Sequence, residues 1–160
     1  MPDRYVAYYD SPVGVIEVCT SKKSVLRIEF VDEKKQVNQE LPSILTKALD
    51  QLDQYFKGER QQFDLPVEFE GTEFQKKVWN GLLTIPFGEV WSYKDLAVEI
   101  GNEKAVRAVG NANRNNPISI IIPCHRVIGA NGTLTGYAGG LHRKEWLLDH
   151  EKGQYHLIEL

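Results

Sequence analysis

Apolar positions along residues 4–30 come in short β-branched and aromatic runs broken by turn residues. Tyr5-Val6-Ala7-Tyr8-Tyr9 reads as a strand, and Asp10-Ser11-Pro12 with Gly14 makes a turn. Val13 to Thr20 reads as a second strand. After Ser21-Lys22-Lys23-Ser24, Val25-Leu26-Arg27-Ile28-Glu29-Phe30 alternates like a half-buried third. Asp32 to Glu40 is a polar loop or an edge segment. The period then changes. Ile44, Leu45, Ala48, Leu49, Leu52, Tyr55 and Phe56 recur at helical spacing behind Pro42, and Gly58 ends the pattern. A small meander plus one helix is expected over residues 1–66. Gln61 to Gly71, with Pro66, reads as a linker.

Helical spacing dominates residues 71–160. Thr72 caps a helix through Gly81, with Phe74, Val78 and Trp79 on one side. Leu82 to Gly88 is a turn. Ser92 caps the next helix, with Asp95 at the third helical position as a short capping box. Leu96, Ala97 and Ile100 form its apolar side, and Gly101-Asn102 ends it. A further helix runs from Glu103 to Ala112 and carries Lys104, Arg107 and Ala108. Helix, glycine turn, helix is a helix-turn-helix pattern, although any two packed helices can show it. The second helix bears small residues between Arg107 and Arg114. Small side chains let a helix approach a groove floor while arginines reach phosphates; a weak helix end accounts equally well for Gly110 and the asparagines.

Ile118-Ser119-Ile120-Ile121-Ile122 is an apolar run too short for a long helix, and it reads as a strand buried on both faces. Pro123 stops it. Cys124, His125 and Arg126 follow at once. Gly129 to Gly140 is a loop with five glycines, able to approach a ligand closely. His142 to His150 returns to helix.

Composition adds bounds. At 160 residues with 42% apolar content, the chain has room for a real core and is not disordered by default. No apolar run is long enough to span a membrane, and no basic segment precedes an apolar one at the N-terminus. Two cysteines make no disulfide framework and suit a reducing cytosol, so a cytoplasmic location is expected. Cys19 lies on a strand-like stretch and reads as packing. The net charge of −3 argues against nucleic acid until its distribution is considered. Residues 1–70 carry 9 Lys+Arg against 13 Asp+Glu, whereas residues 71–160 carry 10 against 9. No acidic residue falls between Lys104 and Lys144, a stretch that holds Arg107, Arg114, Arg126 and Arg143. A phosphate-facing strip explains the missing carboxylates better than a solvated face does.

Cys124 is placed like a nucleophile, with a base and a cation adjoining it. Most free cysteines are instead small buried hydrophobes. Neighbouring side chains in a strand point to opposite faces, so Cys124 and His125 cooperate only if the chain turns here. Pro123 suits the first position of a helical turn. A cysteine there sees the positive end of the backbone dipoles, which lowers its pKa, and Arg126 adds to that.

Ile-Pro-Cys-His-Arg-Val resembles the active-site motif of the O6-alkylguanine-DNA alkyltransferases, the methylated-DNA–protein-cysteine methyltransferases. The similarity runs from about Gly71 to His150 and more weakly through the N-terminal third. It implies an α/β (α+β) chain: a ribonuclease-H-like N-terminal sheet-plus-helix domain, then a mostly helical domain with a winged-helix type of helix-turn-helix. It implies direct, stoichiometric transfer of an alkyl group from O6-alkylguanine to Cys124, with O4-alkylthymine as a second candidate substrate. The thioether formed is not hydrolysed, so the protein reacts once. A base inside a duplex must be flipped out to reach a buried thiol. The partner implied is double-stranded DNA contacted in the minor groove, by a monomer without cofactor.

The resemblance also assigns residues. His125 is the base for Cys124, through a water, and Glu145 in Lys144-Glu145-Trp146-Leu147 is the carboxylate that orients it. Arg107 is the intercalating finger, and Tyr93 rotates the 3′ phosphate and contacts the base. Ala108, Arg114 and Arg126 complete the DNA face. Asn116 ties the recognition helix to the active-site strand, Val127 offers a carbonyl to the guanine amine, and Tyr137 with Ala138 lines the loop side of the pocket. Some relatives bind zinc in the first domain. This chain has no histidine before His125 and only Cys19 as an early thiol, so no metal is expected. Many relatives have Gly where this chain has Asn111, some a large apolar residue in place of Asn113, and some Pro and Ser in place of Ser119 and Ala138; the smaller residue at 119 is expected to open the pocket to groups bulkier than methyl. A related group, the alkyltransferase-like proteins, carries Trp in place of the cysteine; an inert lesion-binding protein of that kind is the alternative. A cysteine hydrolase is a third reading, without a clear oxyanion hole.

Overall fold

The computed structural model describes residues 4–36 and 39–159. Chain contacts divide it into two compact units, Met1–Phe69 and Glu70–Leu160. In the first, β1 (Tyr5–Ser11), β2 (Gly14–Thr20) and β3 (Val25–Val31) form an antiparallel sheet in sequence order. The connections are short, and Gly14 takes the positive φ (128°) that the first turn requires. Helix α1 (Ser43–Phe56) follows Pro42 and lays Leu45, Ala48, Leu52 and Tyr55 against the sheet, where Ile16, Val18, Val25 and Ile28 are buried. Burial of each such large side chain stabilises the fold by about 1.5–3 kcal/mol. Cys19 is buried in β2 and packs as expected.

Residues 61–69 differ from the linker expected of them. Val25 N–H donates to the Pro66 carbonyl at 2.8 Å, and Glu68 N–H donates to the Val25 carbonyl at 3.0 Å. The backbone groups on the open side of β3 find partners there, so the first unit continues past residue 66 to Phe69. Within the polar stretch Asp32–Glu40, Val37 and Asn38 lie outside the described residues.

The second unit is mostly helical. Helix α2 (Glu73–Leu82) begins with a reciprocal capping box between Thr72 and Gln75, and α3 (Tyr93–Glu99) with one between Ser92 and Asp95. Helix α4 (Val106–Arg114) starts later than the pattern suggested, because Asn102 to Ala105 form a turn in which Ala105 N–H donates to the Asn102 carbonyl at 3.0 Å. Helices α2, α3 and α4 pack on one another over Val78, Leu82, Leu96, Ala97, Val109 and Ala112. Strand β4 (Trp91–Ser92) pairs in parallel with β5 (Val127–Ile128), which fixes the end of the cysteine segment beside the start of α3. Helix α5 (Leu141–Glu159) closes the unit.

The apolar run Ile118–Ile122 is not a strand. It folds into consecutive tight turns, with Ile121 N–H donating to the Ser119 carbonyl at 2.9 Å and Ile122 N–H to the Ile118 carbonyl at 3.0 Å. Ile120 sits at φ 74°, a left-handed conformation costing a β-branched residue about 1–3 kcal/mol. It persists because Ile118, Ile120 and Ile122 are all buried, which holds the turn in place. Periodicity cannot separate such a run from a strand; the missing sheet neighbour decides it.

Trp79 joins α2 to α4, its indole N–H donating to the Ala112 carbonyl at 2.8 Å. Trp79→Phe removes that donor from a buried carbonyl. We expect a loss of about 1–3 kcal/mol, read as a lower midpoint in urea unfolding.

Candidate active site

The turns over residues 118–122 deliver Cys124 to a single turn of 3-10 helix, Cys124–Arg126, which leads into β5. The chain thus turns where Cys124 and His125 require it to. Asn116 anchors the turn from the end of α4. Its amide donates to the Ile122 carbonyl at 2.7 Å, and its carbonyl oxygen accepts from Ile118 N–H at 3.0 Å. Asn113, also buried, donates to the Cys124 carbonyl at 3.4 Å.

The Cys124 thiol is 5% exposed. Burial pushes it up to about 11, against smaller opposing effects from the Asn116 side chain, Lys144 and the backbone. The expected depression by the turn and by Arg126 does not hold, because burial outweighs one helical turn and Arg126 is engaged elsewhere. Burial thus favours the neutral thiol. Attack by sulfur therefore depends on a base.

The next residue, His125, is the candidate for that role. His125 is fully buried, and its Nε2 lies 2.7 Å from Oε2 of Glu151 on α5. Burial raises the Glu151 carboxyl, but His125 and Arg126 outweigh it and hold the group well below the usual carboxylate range. Burial lowers the His125 pKa, with Glu151 opposing. A neutral imidazole facing an ionised carboxylate carries its proton on Nε2, so Nδ1 presents a lone pair. Nδ1 is buried and makes no hydrogen bond among the described residues, leaving it free to accept a proton.

Two sequence-based assignments change here. Glu145 is exposed, and the carboxylate on His125 is Glu151. Arg126 is 7% exposed rather than on a DNA face: Nε donates to Glu151 Oε1 at 2.9 Å, Nη2 to Oε2 at 3.1 Å, and Nη1 to the Ile85 carbonyl at 2.7 Å. Helical spacing explains the first change. Lys144, Leu147, Leu148 and Glu151 share one face of α5 and are buried, whereas Glu145, Asp149 and Lys152 share an exposed one. Extending the helix past His150 and following its apolar face identifies Glu151; no sequence signal separates Arg126 from a surface arginine. Lys144, counted in the basic strip, is fully buried as well.

Of the remaining cations of the strip, Lys104, Arg107 and Arg114 lie on α4 or near it, while Arg143 is on α5 and donates to the Gly139 carbonyl at 3.1 Å. Lys104, Arg107, Ala108 and Arg114 are exposed, while Val109, Ala112 and Asn113 face inward. Tyr93, half-buried at the start of α3, places its hydroxyl 3.0 Å from Thr135 Oγ1 and 3.2 Å from the Thr135 carbonyl. A Cβ on Gly136, whose φ is 56°, would stand 3.4 Å from that hydroxyl and 3.5 Å from the Arg114 guanidinium. The glycine loop thus lies against both residues. Tyr137 is buried on the cysteine side of the loop. Burial raises it well above the usual tyrosine value, with the Cys124 charge next in effect. Its hydroxyl makes no well-formed hydrogen bond, Ser119 being the nearest polar side chain acting on it. Ala138 is exposed on the loop. Among the described residues no group of three or more His, Cys, Asp or Glu side chains could hold a metal ion, and no helix is long and apolar enough to cross a membrane.

Fold and site together define a class: a helix-turn-helix unit whose adjoining turn carries a buried cysteine next to a carboxylate-oriented histidine. Known proteins of this class match closely. The family model described as the 6-O-methylguanine DNA methyltransferase DNA binding domain matches residues 73–153, and that of the ribonuclease-like domain matches residues 4–69. A methylated-DNA–protein-cysteine methyltransferase of Methanosarcina acetivorans is 49% identical over 92% of this chain and 97% of its own length. The crystal structure of Mycobacterium tuberculosis O6-methylguanine methyltransferase superposes with a TM-score of 0.85 at 42% identity, covering 94% of each chain. A structure of the Mycobacterium tuberculosis OGT in complex with DNA gives 0.83 at 45% identity, covering 91% of each chain. The chain belongs to the 6-O-methylguanine DNA methyltransferase family.

The buried trio sets a pH dependence of stability. Glu151 titrates lower in the folded chain than in the unfolded one, so its contribution is present above the ordinary carboxylate range and lost as pH falls through it. His125 is also lowered, so the unfolded chain gains its proton first and stability falls below about pH 6.5. His125 acts first and Glu151 only below the ordinary carboxylate range, so we expect the melting temperature to fall from about pH 6.5 to pH 4.5 and to fall more steeply below that. Glu151→Gln leaves Arg126 buried without its counter-charge and is expected to cost about 3–5 kcal/mol. Glu145→Gln is expected to stay within about 0.5 kcal/mol of the parent, both read by thermal melts.

Proposed function

We propose that the chain repairs DNA by direct transfer of an alkyl group from O6-alkylguanine, with O4-alkylthymine as a second candidate substrate, to Cys124. The observation that carries this reading is the buried Cys124 beside His125, itself oriented by Glu151, within the DNA-binding unit of this family. The thiol proton passes through a water to His125 Nδ1, and the imidazolium is stabilised by Glu151. The Cys124 sulfur displaces the alkyl carbon, the carbon–O6 bond breaks, and its electron pair goes to the purine. The purine takes a proton and leaves as guanine. The thioether is not hydrolysed, so each chain acts once, without a metal or cofactor.

DNA enters on the exposed side of α4 through its minor groove. Arg107 fills the gap left by the flipped nucleotide, the small Ala108 permits close approach, and Arg114 contacts phosphate. Tyr93 exchanges its bond to Thr135 for the phosphate 3′ to the lesion. The flipped base lies between the Val127 carbonyl and the loop residues Tyr137 and Ala138, while Asn116 keeps the cysteine turn in register. A monomer acting in the cytoplasm suffices. The lesion-sensor alternative is not favoured, because the cysteine is present and equipped with a base.

Mixing the protein with duplex DNA containing one O6-methylguanine should add one methyl, at the expense of the thiol hydrogen, on the Cys124 peptide by intact and peptide mass, and then stop. Cys124→Ser should gain nothing while still binding. Binding without mass gain in the parent would overturn the transfer reading. Arg107→Ala should slow repair of duplex substrate by an order of magnitude or so, while leaving free O6-benzylguanine within about threefold, since flipping costs a few kcal/mol only in duplex. Single-turnover rates on both substrates check this.

A further inference from the structure

Lys144 is the one strongly buried cation near the thiol that the chemistry above does not use. It is fully buried on α5, the helix that packs against the cysteine turn. Its Nζ donates to the Val127 carbonyl at 2.5 Å and to the Thr135 carbonyl at 2.6 Å. Those carbonyls belong to the two walls between which a flipped base would lie: β5, just after Cys124, and the glycine loop. Thr135 also receives the Tyr93 hydroxyl. Lys144 therefore ties the two walls together.

An ammonium held this way serves two purposes. It fixes the spacing of two backbone segments that no strand pairing joins. It also places a positive charge in a low-dielectric site where sulfur becomes negative. Other groups also act on the thiol: the Asn116 side chain favours its charged form, and His125 becomes cationic when it takes the proton. Arg126 and His125 on its own turn are coupled to Glu151 from α5, and Tyr137 from the loop is neutral. Burial brings Lys144 down to about 8 while the Cys124 charge works the other way, so the two groups act on each other. Cys124 is in turn lowered by Lys144.

We propose that Lys144 is a positioning residue for alkyl transfer: its buried ammonium clamps the Val127 and Thr135 carbonyls and supports the thiolate form of Cys124. The proposal rests on Cys124 being the alkyl acceptor. A carbonyl oxygen has two lone pairs, so Val127 can hold Lys144 and still accept from a guanine amine. Clamping with a charge rather than an apolar side chain explains why a lysine is kept where hydrophobic packing would be less costly.

The test compares the full chain with Lys144→Met, near in length but uncharged, and Lys144→Arg, which keeps the charge in another shape. The first readout is the single-turnover rate of methyl transfer from duplex O6-methylguanine. The second is the pH profile of Cys124 alkylation by iodoacetamide without DNA, followed on the Cys124 peptide. Lys144→Met should slow methyl transfer by about tenfold or more, the loss that one unit on the thiol pKa produces, and move the alkylation profile to higher pH. Lys144→Arg should keep the profile near the parent's and lose rate only with DNA. An unshifted profile in Lys144→Met with parental transfer overturns the proposal. If Lys144→Met does not fold, a Lys144→Arg profile moved to higher pH also overturns it, since charge is preserved there. Failure of the parent to take a methyl on Cys124 would instead sink the reading of the site itself.

Discussion

A carboxylate that is 1% exposed must be neutralised where it lies, and much of the second unit answers to that constraint at Glu151. Arg126 meets it with two parallel bonds and His125 with a third. Both partners belong to the three-residue turn that begins at Cys124, so satisfying the charge docks α5 on the cysteine segment. The same contact fixes the imidazole tautomer and leaves Nδ1 available. Structural and chemical demands are met by one set of bonds, which is why the cysteine can be this buried and still have a base beside it.

The cations of the acid-free stretch between Lys104 and Lys144 divide according to what surrounds them. Arg126 and Lys144 are drawn inward, one to a carboxylate and one to two carbonyls. Lys104, Arg107 and Arg114 stay on the surface of the helix-turn-helix. The missing acidic residues thus have two causes: a surface suited to phosphate, and an interior in which a further carboxylate would have no partner. A linear charge count merges the two.

Much of the fold was legible because its signals are local. The capping boxes at Thr72 and Ser92, the alternating strands before residue 30 and the helix after Pro42 each depend on residues a few positions apart. At the candidate site, the turn at Cys124 and His125 and the anchoring of that turn by Asn116 were legible, because these residues lie within one short segment. Glu145 was mistaken for Glu151 because the expected helix ended too soon, at His150; the longer α5 brings a residue 26 positions from His125 onto its ring. Arg126 was misplaced because exposure is not a property of the residue or its neighbours in sequence.

The sequence by itself determined the two-unit α+β organisation, the family, and the adjoining Cys124 and His125, since each is written in short-range periodicity or in a contiguous motif. Tertiary structure alone decided that Ile118–Ile122 folds as turns, that the thiol is raised rather than lowered, and that Glu151, Arg126 and Lys144 are buried against the segment that begins at Cys124. Burial and long-range pairing set all three. Their energies depend on what stands opposite a group in space, a quantity that the order of residues specifies only through the completed fold.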